Sequence, residues 1–411
     1  MNYELFIAKR IIASKQHKNS VSSPIIKISI LAIAIGIIVM LFSVATGVGL
    51  QKKIKEKISG FNGDIQIINF DSNNSKVTVT PVYMHQDFYP DFASVPNVKK
   101  VQVYATKAGI IRTPDEFEGI ILKGVDRDYD WSFFKEYLML GKLPEIGDKI
   151  SNEVLISAKT AARLRLKVGD EFHIFFVKND PNKAPNSRKF NVSGVFNSGF
   201  EEFDEAFMIG DIKHIQRINK WEEDQVGGFE IFVHDFDQLR QTGFDVYEQI
   251  DPSLNAYTIA EKFPAIFEWL SLFDTNIIVI IAIMILIAGI NMITALLVLI
   301  LERTQMIGIL KALGNHNWSI RKIFLYNAAF LIGKGLFWGN LIGIGLLLIQ
   351  KYFGVITLNP ETYYVNQAPV HLSIPVLLWI NLGTLLLCIM MLIVPSFIVS
   401  KISPVKAIKF D

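Results

Sequence analysis

The sequence predicts four membrane-spanning helices with a large α+β domain inserted between the first and the second. Three observations predict it. Of 411 residues, 51% are hydrophobic and only 19% charged, below the roughly 25% charged content of soluble domains. The apolar residues gather in four stretches, each past the threshold of about 18 that a bilayer-crossing helix needs. Lys and Arg cluster at alternate connections between those stretches, as one consistent topology requires.

The N-terminal segment, residues 1–24, carries Lys9, Arg10, Lys15 and Lys18 against one acid, Glu4. The first span, residues 25–50, has no charge from Ile28 onward and reads as an uncleaved signal anchor. Residues 51–274 form the inserted domain with its stalk helices. The second span covers 275–301, with Asn291 as its one strongly polar residue, and the connection 302–322 holds Arg303, Lys311, Arg321 and Lys322 against Glu302. The third span covers 323–349, the loop 350–375 holds only Lys351 and Glu361, the fourth span covers 376–399, and the tail 400–411 carries Lys401, Lys406 and Lys409. The basic segments are expected in the cytoplasm, so both termini are expected there and the inserted domain outside. Residues 49–274 hold 27 Lys and Arg against 35 Asp and Glu, a net of −8.

The inserted domain alternates short β-like runs with turn residues. Strands are expected at residues 64–68, 77–79, 98–104, 119–125 and 153–156, the last leading into a helix from Ser157 to about Leu166. Residues 172–177 and 190–196 flank a polar stretch with Pro181 and Pro185 and read as a long hairpin. A strand at 229–234 and a helix at 236–250 complete the α+β pattern.

A search for chemistry finds no catalytic centre. There is no P-loop, so nucleotide binding by that route is excluded. There is no G-x-S-x-G and no H-E-x-x-H. Of the seven histidines, His85, His173, His214 and His234 fall in the inserted domain without metal-ligand spacing, and no metal is expected. The acidic runs 201–205 and 222–224 lack the oxygen ladder of a calcium loop and read as solvated faces. A single cysteine, Cys388, excludes intrachain disulfides. A net charge of +2 excludes a nucleic-acid binder built on bulk charge. Lys334 lies inside the third span, where an ionisable group is expensive, and is read as snorkelling to an interface.

The most informative stretch is the connection at 302–314. Met306, Ile307, Leu310 and Leu313 recur at helical spacing, and Gly314 stands where a helix ends. Such a helix either lies on the membrane or enters a groove in a cytoplasmic partner.

The pattern E-R-T-x-x-I-G-I-L-K-A-L-G at 302–314 resembles the signature of the FtsX/MacB permease superfamily of ABC systems. The closing Ser403-Pro404-Val405-Lys406-Ala407-Ile408-Lys409 and the four-span topology are similar as well. Within that superfamily, three segments are similar to the lipoprotein-releasing LolC/LolE type. They are the short basic start Phe6 to Arg10, the loop from Leu358 to Val370 with Tyr363 and Tyr364, and the hairpin at 178–188.

The resemblance implies a MacB/FtsX-like permease with a periplasmic domain, and a cytoplasmic ATPase docked on the coupling segment through Glu302, Arg303, Met306, Ile307, Gly308, Leu310, Lys311, Leu313 and Gly314. ATP and Mg would belong to that LolD-like subunit; this chain would bind no cofactor and would not itself be an enzyme. A second copy or a paralogue completes the permease. The hairpin, with Pro181, Pro185 and Arg188, would dock a LolA-like periplasmic chaperone. The lipoprotein's acyl chains would enter a cleft lined by Met40, Phe42, Ile278, Ile281, Tyr363 and Tyr364. Nucleic acid is not an expected partner. The alternative is an FtsX-like mechanotransmission permease that regulates a periplasmic partner without moving a substrate.

Overall fold

The computed structural model describes residues 3–13, 22–71, 79–113, 116–176 and 185–403. The chain divides into a helical unit (Met1–Gln51, Trp269–Thr357 and Gln367–Asp411) and a sheet unit (Lys52–Glu268 and Leu358–Asn366).

Among the described residues, four helices are long and apolar enough to cross a membrane: Pro24–Asn62, Pro264–Glu302, Asn317–Phe353 and Ile374–Lys401. The first two have 39 residues each, about 58 Å at 1.5 Å per residue, nearly twice a hydrocarbon core of about 30 Å. Each therefore carries its span and more: residues 52–62 of the first belong to the sheet unit.

The helices pack through small residues. Gly335, Gly339 and Gly343 of the third helix, one turn apart, face Ile33, Ile37 and Leu41 of the first. Numbers rise together, so these helices are parallel. Asn340 and Asn381 exchange amide hydrogen bonds of 2.6 and 3.1 Å between the third and fourth, and Arg321 Nε donates to Ser396 Oγ at 3.0 Å; these two run antiparallel. Ser29 Oγ donates to the Asn291 carbonyl at 3.3 Å, while Gly47 faces Ile277, so the first and second are antiparallel. The directions alternate, as four successive spans require.

The sheet unit holds strands β1 (Ile65–Asn69), β2 (Val82–Tyr83), β3 (Val98–Arg112), β4 (Phe117–Val125), β5 (Leu138–Gly141), β6 (Glu153–Ser157), β7 (Glu171–Phe176), β8 (Asn186–Phe196), β9 (Phe207–Asp211), β10 (Gln225–Val226), β11 (Gly228–Val233) and β12 (Leu254–Thr258). Ten join one sheet in the order β12-β1-β11-β3-β4-β9-β6-β8-β5, with β7 bridging β3 and β8. That bridge closes β3-β4-β9-β6-β8-β7 on itself, a six-stranded ring without free edges. The pairs β4/β9 and β6/β8 are parallel; the rest of the ring is antiparallel.

Local rules set the connections. Ser157 caps the helix Ala158–Leu164 by accepting from Thr160 N, and Thr258 and Glu261 form a capping box on Ile259–Lys262. The first long helix ends at Asn62, and Gly63 takes φ +69 with Glu230 close against it, where a side chain is excluded. Phenylalanine fills the interior: Phe61 contacts Phe133, Phe134, Phe196 and Phe203 with ring centroids 4.9–6.0 Å apart.

Two sequence readings change. Residues 201–205 are not a uniformly solvated face. They open the helix Glu201–Ala206, in which Phe203 and Asp204 are buried. Asp204 Oδ1 accepts from Ser198 Oγ at 2.6 Å and Oδ2 from Gly199 N at 3.0 Å, while burial pushes its carboxyl up. Glu201 and Glu205 pair with Lys159. The strand expected at 77–79 falls largely outside the described residues: Val77 and Thr78 are not described, and Val79 is not in a strand.

Candidate functional site

The connection between the second and third spans holds a helix, Thr304–Ala312. Its packing inverts part of the expected partner-facing set. Ile307 and Gly308 are buried. Ile307 joins Ile300, Ile320 and Phe324 in the membrane-helix core, with Met306 and Leu310 packed against it. The reason lies in the N-terminal helix Tyr3–Ala13, whose Ala8 and Ile11 form a second cluster with Ile323 that also takes in Met306 and Leu310. The Glu4 carboxylate pins that helix by accepting from Ser319 Oγ at 2.9 Å, 3.8 Å from Lys322 Nζ. The stripe Met306, Ile307 and Leu310 is thus covered by the chain itself.

The exposed surface is another set. Glu302, Gln305, Ala312 and Gly314 face outward, with Ile309 at 47% and Leu313 at 80% exposure. Arg303 is half-buried at the break between the two helices. Lys311 turns back, donating to the carbonyls of Ile402 at 2.8 Å and Ser400 at 3.3 Å, and so caps the end of the fourth helix. Gly314, φ +88, ends the segment.

Strands β7 and β8, which flank the expected hairpin tip, pair antiparallel from Glu171↔Asn191 to Phe176↔Asn186, and residues 177–184 lie outside the described residues. The second strand starts earlier than its apolar residues suggest, at Asn186. Arg188 is therefore a strand residue opposite Ile174 rather than a loop residue, half-buried, its Nη1 donating to the Ser187 carbonyl at 3.2 Å. Pro185 is exposed just ahead of the strand. Pro181 lies outside the described residues.

The cleft candidates separate. Met40 is 1% exposed, within a cluster that Phe42 and Ile281 border; as part of the single chain's core it does not line an open cleft. Ile278 faces away at 66% exposure. Tyr363 and Tyr364 belong to the sheet unit. There Tyr364, at φ +57, stacks on Phe200 with centroids 4.5 Å apart, and its carbonyl accepts from Lys57 Nζ at 2.8 Å. Lys334 is exposed, with Nζ 4.7 Å over the Phe330 ring. Its neighbour Gly335 faces Ile33, five residues and so about 7 Å along the helix from Ile28, where the first apolar stretch begins. That level suits a lysine reaching an interface.

Sequence reasoning missed the N-terminal helix and the glycine stripe. Leu5, Phe6, Ile7, Ile11 and Ile12 gave a helical signal for the former, hidden among basic residues. The four-residue spacing of Gly335, Gly339 and Gly343 was visible for the latter.

Two family profiles match. The MacB-like periplasmic core domain matches residues 28–239, more than half of the chain, and the FtsX-like permease C-terminal domain matches residues 278–404. The chain is 20% identical over 409 residues to the lipoprotein-releasing system transmembrane protein LolC of Xylella fastidiosa, covering 96% of each. It is 19% identical over 429 residues to the corresponding LolE of Haemophilus influenzae, covering 99% of each. The periplasmic region of MacB from Actinobacillus actinomycetemcomitans overlays 51% of the chain and 95% of that structure at a TM-score of 0.32 and 12% identity; the family assignment does not rest on it. Both profiles, the near full-length relatives and the four long apolar helices agree: the chain belongs to the FtsX/MacB permease superfamily and is a multi-pass membrane permease of the LolC/LolE type.

Proposed function

We propose that this chain is the membrane subunit of an ABC transporter that draws lipoproteins out of the bacterial inner membrane and passes them to a periplasmic chaperone. The observation that carries the reading is the likeness to lipoprotein-releasing LolC and LolE along nearly the whole chain, covering membrane helices and inserted domain alike.

The parts take roles accordingly. The termini and the helix Thr304–Ala312 lie in the cytoplasm, following the Lys and Arg distribution. A separate ATPase docks on the outward face of that helix, with Ile309 and Leu313 as its apolar contacts. A second copy or a paralogue supplies the other half of the permease. Acyl chains enter beside the exposed face that carries Ile278. Lifting them out is work that ATP must drive, since each buried CH₂ contributes about 0.8 kcal/mol to membrane anchoring. The strand pair β7 and β8, with Arg188, meets the chaperone.

The test is the composition and activity of the purified complex. Mass measurement is expected to find the permease with an ATPase and bound lipoprotein, and proteoliposomes are expected to release lipoprotein to a soluble acceptor only with ATP. Arg188→Glu, on the hairpin, is expected to weaken acceptor binding. A complex that hydrolyses ATP, carries a periplasmic hydrolase regulator and releases no lipoprotein overturns the reading in favour of mechanotransmission.

A further inference from the structure

The sheet unit contains a cavity of about 540 Å³, within the range of about 300–1,000 Å³ typical of small-molecule sites. It lies against β1, β3 and β4 and beneath the helices Glu201–Ala206 and Ile259–Lys262. Six apolar side chains line it, Ile68, Ile121, Phe203, Ala206, Phe207 and Phe263.

The two amides inside are already engaged. Gln66 Nε2 donates to the Asn62 carbonyl at 2.8 Å, and Gln66 Oε1 accepts from Lys262 Nζ. Asn62 Nδ2 donates to the Ile58 carbonyl at 3.2 Å. A ligand rich in hydrogen-bonding groups would lose its water here and find few free partners. An apolar chain loses nothing and gains contact.

The rim selects the head group. Glu202 and Glu261 set two carboxylates there against the single Lys262. Glu261 Oε2 accepts from Thr258 N at 2.8 Å and Thr258 Oγ1 at 2.9 Å and is held in place by its capping role. The net charge of the rim is negative, so a carboxylate or phosphate head is repelled and an uncharged amide or ester head is not.

We propose that this cavity seats one fatty acyl chain with an uncharged, amide- or ester-linked head. Resting on the lipoprotein-release reading above, it is a transient seat for one chain of the lipoprotein anchor.

The test uses the full transporter complex in lipid nanodiscs. The probe is N-hexadecanoylglycinamide carrying a mid-chain diazirine; the comparison is the hexadecanoic acid with the same diazirine. Irradiation is expected to label peptides containing Ile121 and Phe203 to Phe207. The acid is expected to label them about tenfold less, the factor expected from a modest free-energy penalty at the rim. Ala206→Trp, which fills the cavity, is expected to remove that labelling; should it fail to assemble, Ile121→Phe serves instead. Labelling confined to the membrane helices, or undiminished in an assembled cavity-filled variant, overturns the proposal. The two readings fail separately. Cavity labelling without lipoprotein release removes the transport reading and leaves an acyl site. Lipoprotein release without cavity labelling removes the site alone.

Discussion

Lys123 Nζ lies 2.7 Å from Glu230 Oε1 and 2.8 Å from Oε2, with both side chains 1% exposed, and it also donates to the Phe61 carbonyl at 2.6 Å. Phe61 stands in the last turn of the 41-residue helix Ser22–Asn62. A buried ammonium thus satisfies an orphan carbonyl at a helix C-terminus, and Glu230 satisfies the ammonium.

Removing one partner is expected to be severe. Lys123→Met strands a buried carboxylate and frees the Phe61 carbonyl, a loss of about 3–5 kcal/mol. Lys123→Met with Glu230→Leu is expected to recover much of it, because two apolar groups leave no unpaired charge. Thermal unfolding of the detergent-solubilised protein checks both; equal losses in the single and double variants would show that the ion pair is not the cause.

Of the three glycines between the first and third membrane helices, Gly339 stands closest to the neighbouring backbone. A β-carbon there would stand 2.8 Å from Ile37 Cβ and 2.9 Å from the Ala34 carbonyl oxygen. Gly339→Leu is expected to destabilise by at least the roughly 1–3 kcal/mol of an overpacked core. Gly333→Leu on the same helix meets nothing within 4 Å and is expected to be near neutral. A cysteine-pair crosslinking rate between the two helices reads the same contact directly.

The spans were legible because length and apolarity alone define them, and bilayer thickness sets the threshold. Most strands were legible from period and turn residues: β4 was expected at 119–125 and observed at Phe117–Val125. β2, β5, β9, β10 and β12 were missed, since each is short, with five residues or fewer to show a period. The orientation of the helix Thr304–Ala312 was not legible. Met306, Ile307 and Leu310 mark an apolar stripe, but periodicity does not say what covers it. Here residues some 300 positions away in sequence, Ala8 and Ile11, contribute the cover.

His214 gives the sheet unit an acid sensitivity. It is 3% exposed, Nε2 donates to the Ser151 carbonyl at 2.9 Å, and the ring stands edge-on to Phe190 at 4.6 Å. Burial holds its pKa below the ordinary 6.5, although Asp211 pulls the other way. The folded state therefore binds the proton less readily than the unfolded chain. The stabilising contribution is complete above pH 6.5 and is lost as pH falls from there through the folded value. His214→Phe is expected to flatten that part of a melting-temperature profile; an unchanged profile would assign the acid sensitivity elsewhere.

The segment from Thr304 to Gly314 gives the sharpest contrast, because two leucines three residues apart differ sharply in burial. Leu310 packs against both apolar clusters, while Leu313 is 80% exposed. An aspartate at 310 would force a carboxylate among Ile323, Met306 and the N-terminal helix, where its desolvation is uncompensated. Leu310→Asp is therefore expected to lower yield and melting temperature of the permease itself. An aspartate at 313 meets water in the isolated chain, so Leu313→Asp is expected to leave yield and melting temperature unchanged. If a partner ATPase docks on this face as proposed above, the exposed Leu313 is a natural anchor, and losing a hot spot of about 2 kcal/mol or more weakens association more than tenfold. Copurification of the ATPase is thus expected to fall sharply with Leu313→Asp. A Leu313→Asp permease that retains stoichiometric ATPase would mean that this outward face is not the docking surface, whatever the family resemblance implies.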